Sequence, residues 1–399
     1  MMREMGHACI ELSPVTVRRL DAVRALAAIY VVALHVVPGL PVGGFGSVGV
    51  IVFFLLSGFV IHANEEQRAR IEPLRYLGRR ARRLYPVLIV ALGVSAAVAV
   101  GKGALGSVIS ASSLAQLLGT LTFQQGITGP FMQNAPLWSL SYEAVYYVVY
   151  PLMLLVPGRC RLPTVTMVAV SSLVMFAVNP QHYFWVGTYL LIWWVGVEAA
   201  RLHGTAASWR KYLPAALSLG LLVAAAAVAT TALPLHPTAQ FIGRGVVPTG
   251  APSMLLDELS VALGILGVVV LAPEDVKRLF DRAFGWLAVF APISYGLYVL
   301  HFPIVTISDS MPVRLLICVP LTFLLAWLAE SSLRRNGWLI SASRRTLAQL
   351  SRPAVISPVA VLEQVQPRAP GPAQARVQDP AAVVSAEART SAAPATPGS

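Results

Sequence analysis

The sequence predicts an all-α polytopic membrane protein: a bundle of about ten transmembrane helices followed by a disordered C-terminal tail. Three observations predict it. Charged residues are 12% of the 399-residue chain, about half the soluble norm, and apolar residues are 56%. Apolar runs near the length that crosses a bilayer, roughly 20 residues of helix, recur from one end of the chain to the other. The basic residues behind a formal charge of +12 sit in short clusters between those runs. Cytoplasmic loops of membrane proteins carry that pattern, and it excludes nucleic acid as a partner. Cys9, Cys160 and Cys318 have no metal-ligand spacing, so no metal is expected.

Taken in order, residues 1–19 are a mixed polar lead-in with no cleavable signal, 20–345 form the membrane domain, and 346–399 form the tail. The first span covers 20–38 and ends at Pro38-Gly39; a Gly/Pro-rich turn returns the chain through a second span at 47–63. An arginine-rich stretch up to Arg83 then stays on the cytoplasmic side, and a third span runs over 84–101. Residues 104–125 are rich in Ser, Thr, Gly and Gln, and charge decides their placement. If they do not cross, Arg159 and Arg161, Arg201 to Lys211, Lys277 to Arg282, and Arg334 and Arg335 are all cytoplasmic. Beyond that segment the opposite side then keeps only Arg244 and Arg314. The segment is therefore an interfacial or re-entrant element, stable only against protein or a watery cavity. Further spans follow at 137–156, 163–178, 183–200, 212–233, 254–272, 285–305 and 312–331, with an external Pro/Gly-rich loop at 234–253. Both termini then face the cytoplasm of a cell inner (plasma) membrane. The Pro-, Ala-, Val- and Ser-rich tail lacks the periodicity of a packed element.

Few polar side chains interrupt the spans, and each is a candidate for chemistry. Arg24 and His35 lie eleven positions apart on the first span, roughly 16 Å along its axis and half the hydrocarbon thickness. An ionisable group at such depth is costly and points to function; a histidine at a helix end can also be satisfied by a carbonyl or interfacial water. Arg79, Arg80, Arg82 and Arg83 are denser than a cytoplasmic loop requires, and the guanidinium fork grips phosphate through paired hydrogen bonds. Glu143 is either a buried carboxylate satisfied by a tyrosine or serine, or a group that orients a histidine or binds hydroxyls. Tyr298 and His301 also fit the aromatic belt of a membrane interface. Ser57 beside Gly58 reads as a close helix-packing site, with no G-x-S-x-G turn around it.

Five words, in order, carry a resemblance: Arg24-x10-His35; Gly49-Val50-x-x-Phe53-Phe54-x-x-Ser57-Gly58-Phe59; RRARRLYP from Arg79 to Pro86; Ser139-Leu140-x-x-Glu143-x-x-x-Tyr147; and Ser294-Tyr295-Gly296-x-Tyr298-x-x-His301-x-Pro303. Together they span 18 to about 330 and resemble the integral-membrane acyltransferase-3 family, of the exopolysaccharide and O-antigen O-acetyltransferase kind. The resemblance implies an acyl-CoA donor, acetyl-CoA in the first instance, and a hydroxyl acceptor on a surface or exported glycan or its lipid-linked precursor. It implies Arg24, Arg79, Arg80, Arg82 and Arg83 on the donor phosphates, His35 as base and Glu143 beside it in catalysis. Ser139, Tyr147, Tyr298 and His301 would bind substrate. Histidine suits the task because its ordinary pKa, about 6.5, lies near working pH. One departure stands out: where the family often has an acid after the Gly-Val pair, this chain has Ile51. Two other functions fit the residues: a proton-coupled carrier using His35, Glu143 and His301 as a relay, and an acyltransferase for a small molecule such as a macrolide. The absence of an internal repeat counts against the carrier.

Overall fold

The computed structural model describes residues 12–37, 47–66, 71–178, 182–203, 209–232, 260–261, 264 and 272–332. The expected span at 254–272, the loop at 234–253, most of the lead-in and the tail at 346–399 lie outside the described residues. Among those described there is no strand, and six helical stretches are long and apolar enough to cross a membrane. The elements are α1 (Pro14–Val36), α2 (Val48–Glu66), α3 (Pro73–Gly101), three short helices α4 (Leu105–Val108), α5 (Ala111–Leu121) and α6 (Gln125–Thr128), then α7 (Trp138–Met153), α8 (Gly158–Val178), α9 (His182–Leu202) and α10 (Leu213–Ala232). After the gap come α11 (Glu274–Phe284), a 3-10 stretch (Gly285–Ile293), α12 (Ser294–Val305) and α13 (Met311–Ser332), which contains a π-helical turn at Arg314–Cys318.

α1 begins where its sequence says it should. Ser13 caps it by accepting from the Thr16 amide at 3.1 Å, and Pro14 occupies the first helical position, where a missing N–H costs nothing. Its buried face is small: Ala22, Ala25, Ala27, Ala28, Val31 and Val32. Small side chains let helices approach closely where lipid gives no hydrophobic drive for them to do so.

The tightest approach joins α2 to α9. A Cβ on Gly58 would lie 2.0 Å from the Trp193 carbonyl oxygen, and one on Gly196 would lie 2.0 Å from that of Leu55. The two backbones touch reciprocally, and only glycine fits at either position. α9 is enclosed around its middle, with every residue from Thr188 to Glu198 buried. Trp185, Tyr189 and Trp193 there meet Phe54, Tyr142 and Tyr146 in an aromatic core. Gly58→Ala is expected to destabilise the protein by about 1–3 kcal/mol through overpacking, or more if the backbones must part. Thermal unfolding of the detergent-solubilised variant checks this.

Two segments differ from expectation. α3 starts at Pro73, so the arginine-rich stretch read as a loop is the inner extension of a 29-residue helix. Residues 273–284, also read as loop, form the amphipathic α11; Arg19 holds it through two bonds to Asp281, at 3.0 and 2.7 Å. Residues 104–125 do not make one long helix: they break into α4, α5 and the start of α6, with Phe123 at a left-handed φ of 58° between the last two.

Candidate active site

Partners, rather than helix position, divide the arginine cluster: at about 100° per residue Arg82 lies about 60° from Arg79, nearer to it than Arg80 does. Arg82 is exposed and donates to its own helix at Gly78 O (3.0 Å). Arg79 and Arg80 are taken by Glu65 at the end of α2, at 2.6 and 3.2 Å, and the Glu65 side chain has no exposed surface. A buried carboxylate needs partners of this kind, because an unpaired charge there costs several kcal/mol. The Arg80 guanidinium also lies over the Tyr76 and Tyr147 rings, 5.4 and 5.9 Å from their centroids. Arg83 is exposed and has no carboxylate partner among the described residues. The four arginines expected to act together are thus a paired couple, an outward-facing member and one left available.

Arg83 and Arg80 line a cavity of about 220 Å³ between α1, α2, α3, α7 and α12, joined there by Arg24. Arg24 keeps one bond to Asp21, at 3.0 Å on its own helix. Opposite the arginines the wall is neutral or acidic. Glu143 Oε1 accepts from both Ser57 Oγ (2.7 Å) and Tyr147 OH (2.6 Å). Both bonds use the same oxygen, which leaves Oε2 as an acceptor at the cavity wall. Ser139 and Tyr298 also line the cavity but are bonded to one another at 2.7 Å. The Tyr298 hydroxyl donates to Pro136 O at 2.6 Å, so the shared hydrogen comes from Ser139.

His35 and His301 lie behind this wall. They are 266 positions apart in sequence, yet His35 Nδ1 and His301 Nε2 are 3.3 Å apart. The rings are 4.9 Å apart between centroids, and Phe302 stands edge-on to His35 at 5.3 Å. His301 is fully buried and His35 half-buried. The Tyr298 ring, which lines the cavity, lies 6.2 Å from that of His301 and 5.6 Å from that of Phe53.

α12 is built for this position. Pro303 has no N–H, so Val299 O loses its helical donor, and the buried Asn134 supplies one from Nδ2 at 3.0 Å.

The bonds of Glu143 go to Ser57 and Tyr147, as one of its two readings expected, and the ring beside His35 is that of His301. His301 is not among the residues that line the cavity. Among the described residues no hydrogen bond joins Glu143 to either histidine. Sequence reasoning missed Glu65, although a carboxylate fourteen residues before Arg79 at the end of an apolar helix was a signal. It also read Ser57 as packing only. Ile51, where an acid was expected, is fully buried in the apolar core.

The fold and site define a multi-pass helical protein with a small arginine-fringed cavity next to a buried histidine pair. The chain belongs to the acyltransferase-3 family: the profile described as an acyltransferase domain matches residues 17–331. Among curated relatives, the exopolysaccharide production protein ExoZ of Rhizobium meliloti is 32% identical over 129 residues, 30% of this chain and 38% of that protein. The peptidoglycan O-acetyltransferase OatA of Listeria monocytogenes is 25% identical over 354 residues, 80% of this chain and 56% of that protein. The chain thus spans 38% and 56% of these two relatives. No solved structure matches it.

Proposed function

We propose that this protein is a membrane O-acetyltransferase. It moves an acetyl group from acetyl-CoA to a hydroxyl of a cell-surface or exported glycan, or of its lipid-linked precursor. The observation that carries the reading is the meeting of His35 and His301 behind the wall of a cavity fringed by Arg24 and Arg83. The names of the relatives, one in exopolysaccharide production and one a peptidoglycan O-acetyltransferase, favour a glycan acceptor. The bilayer arrangement that goes with it has about ten spans in the inner membrane and both termini in the cytoplasm.

In this reading the donor enters from the cytoplasmic side with its phosphates on Arg83 and Arg24 and its pantetheine arm in the cavity. Arg79 and Arg80 hold the site together through Glu65 rather than touching the donor. The open oxygen of Glu143 accepts from an acceptor hydroxyl. His35 takes the proton of the attacking hydroxyl as its oxygen bonds to the thioester carbonyl carbon. The C–S bond then breaks and the departing thiolate recovers that proton from His35, giving the O-acetyl ester and free CoA. Tyr298 and Ser139 must yield for the thioester to reach His35.

The test uses the purified full chain in detergent with labelled acetyl-CoA and a panel of glycan oligomers and lipid-linked sugars. Label should appear on a hydroxyl of at least one acceptor. Arg83→Ala should raise the apparent KM for acetyl-CoA about tenfold or more, as loss of a charge-assisted hydrogen bond does. Arg82→Ala should match wild type. No transfer to any acceptor overturns the activity, and equal effects of the two variants overturn the division of the cluster.

A further inference from the structure

We infer that His301 is a positioning residue that, together with the Val31 carbonyl, presents one defined nitrogen of His35 and stabilises its protonated form, an assignment that rests on His35 being the base. The deduction starts from the group with least freedom. His301 Nδ1 lies 2.8 Å from Tyr298 O and 3.1 Å from Leu297 O. A carbonyl oxygen only accepts, so His301 Nδ1 carries the hydrogen and, in a neutral ring, Nε2 carries the lone pair. That lone pair faces His35 Nδ1 at 3.3 Å.

His35 Nδ1 has a second neighbour, Val31 O, at 2.9 Å. Both of its neighbours accept, so His35 Nδ1 is the N–H and donates to the two of them. The remaining nitrogen, His35 Nε2, therefore holds the lone pair and is the atom that takes the hydroxyl proton. No carboxylate is within hydrogen-bonding reach of either ring among the described residues. The orientation usually imposed on a base by an acid is imposed here by a second imidazole and three backbone carbonyls.

His301 also acts during the reaction. When His35 gains a proton at Nε2, part of the positive charge resides on Nδ1–H, and its bond to the neutral His301 Nε2 becomes charge-assisted. His301 thus stabilises the protonated base without receiving the proton and without touching substrate. Its full burial keeps water from competing for that bond.

Nitrogen NMR of the full chain, labelled with 15N in its histidine rings and held in detergent, reads the tautomer directly; His35→Gln identifies the His35 signals. The wild type should show the unprotonated nitrogen of His35 at Nε2. His301→Phe removes the acceptor and should lower acetyl turnover about 10- to 100-fold, the loss of one charge-assisted bond, with an unchanged KM for acetyl-CoA. His35 should keep its lone pair at Nε2, because Val31 O still accepts from Nδ1, but the Nδ1–H signal should shift with the loss of its second acceptor. His301→Gln places a carbonyl oxygen near the former Nε2 and should restore most of the turnover and the wild-type Nδ1–H signal. A wild-type His35 with its lone pair on Nδ1 overturns the inference even if His301→Phe does not fold. So does His301→Phe with wild-type turnover. Should His35→Gln keep its turnover, the base assignment fails instead, and the tautomer spectrum tells the two apart.

Discussion

Replacing His35 with alanine should leave acetyl-CoA binding near wild type and reduce acetyl turnover by about 10²- to 10⁴-fold, the usual worth of a positioned general base. In the proposed mechanism the donor is held by groups on the cavity wall, and His35 is not among the residues that line it. Removal of its imidazole therefore touches neither Arg24 nor Arg83. His35→Gln should be about as poor, since an amide hydrogen-bonds but takes no proton at pH 7. Single-turnover measurements with labelled acetyl-CoA separate the chemical step from donor binding, and equilibrium binding of acetyl-CoA supplies the control. A His35→Ala protein that transfers acetyl groups at near the wild-type rate would falsify the mechanism. One that has lost donor binding as well would mean that His35 shapes the cavity.

Replacing Glu65 with glutamine should destabilise the protein by about 3 kcal/mol, the low end of the cost of breaking a buried ion pair. The low end applies because Arg79 and Arg80 retain 29% and 15% side-chain exposure, so water offsets part of the loss. Glutamine keeps the size of the side chain and removes only its charge, which leaves two guanidinium groups without their counter-ion. The Nε atoms of both arginines are already buried without an acceptor, so the site has little spare capacity to absorb the change. Denaturant titration of the detergent-solubilised protein measures the difference. A Glu65→Gln variant as stable as wild type would mean that the two arginines find other acceptors and that the triad does not hold α2 to α3.

Much of the fold was legible because the signals were local. Apolar run length and basic clusters located helices that appear as α1, α2, α3, α7, α8, α9, α10, α12 and α13. Helix starts were less legible. The stretch before Arg83 is rich in charge and was read as loop, yet it is a helix whose polar face meets Glu65. The same preference for counting charge over periodicity hid α11.

For the site, the motif words named His35, Glu143, Ser139, Tyr147, Tyr298 and His301 one by one. Which of them meet depends on how helices distant in sequence pack. Whether Glu143 meets a histidine or only a tyrosine and serine stayed open in the sequence; the packing of α12 against α1 places His301 beside His35, and Glu143 bonds to Ser57 and Tyr147. The division of the arginines was out of reach, since at about 100° per residue Arg82 lies nearer Arg79 than Arg80 does, and what divides them is the carboxylate of Glu65.

The histidine pair also dates the site within the life of the chain. Arg79 follows Glu65 by only fourteen residues, so that ion pair can form almost as soon as its two helices leave the ribosome. His301 follows His35 by 266 residues. At about 5–20 residues per second, His35 waits roughly 13–53 s for the residue that orients it. With His35 as the proposed base, the nascent protein has no oriented base during that interval. Chains that stop before Ser294 would keep the helices that carry Arg24 and Arg83 and lack His301. On the proposed mechanism, synthesis itself thus delays the chemistry until the membrane domain is nearly complete.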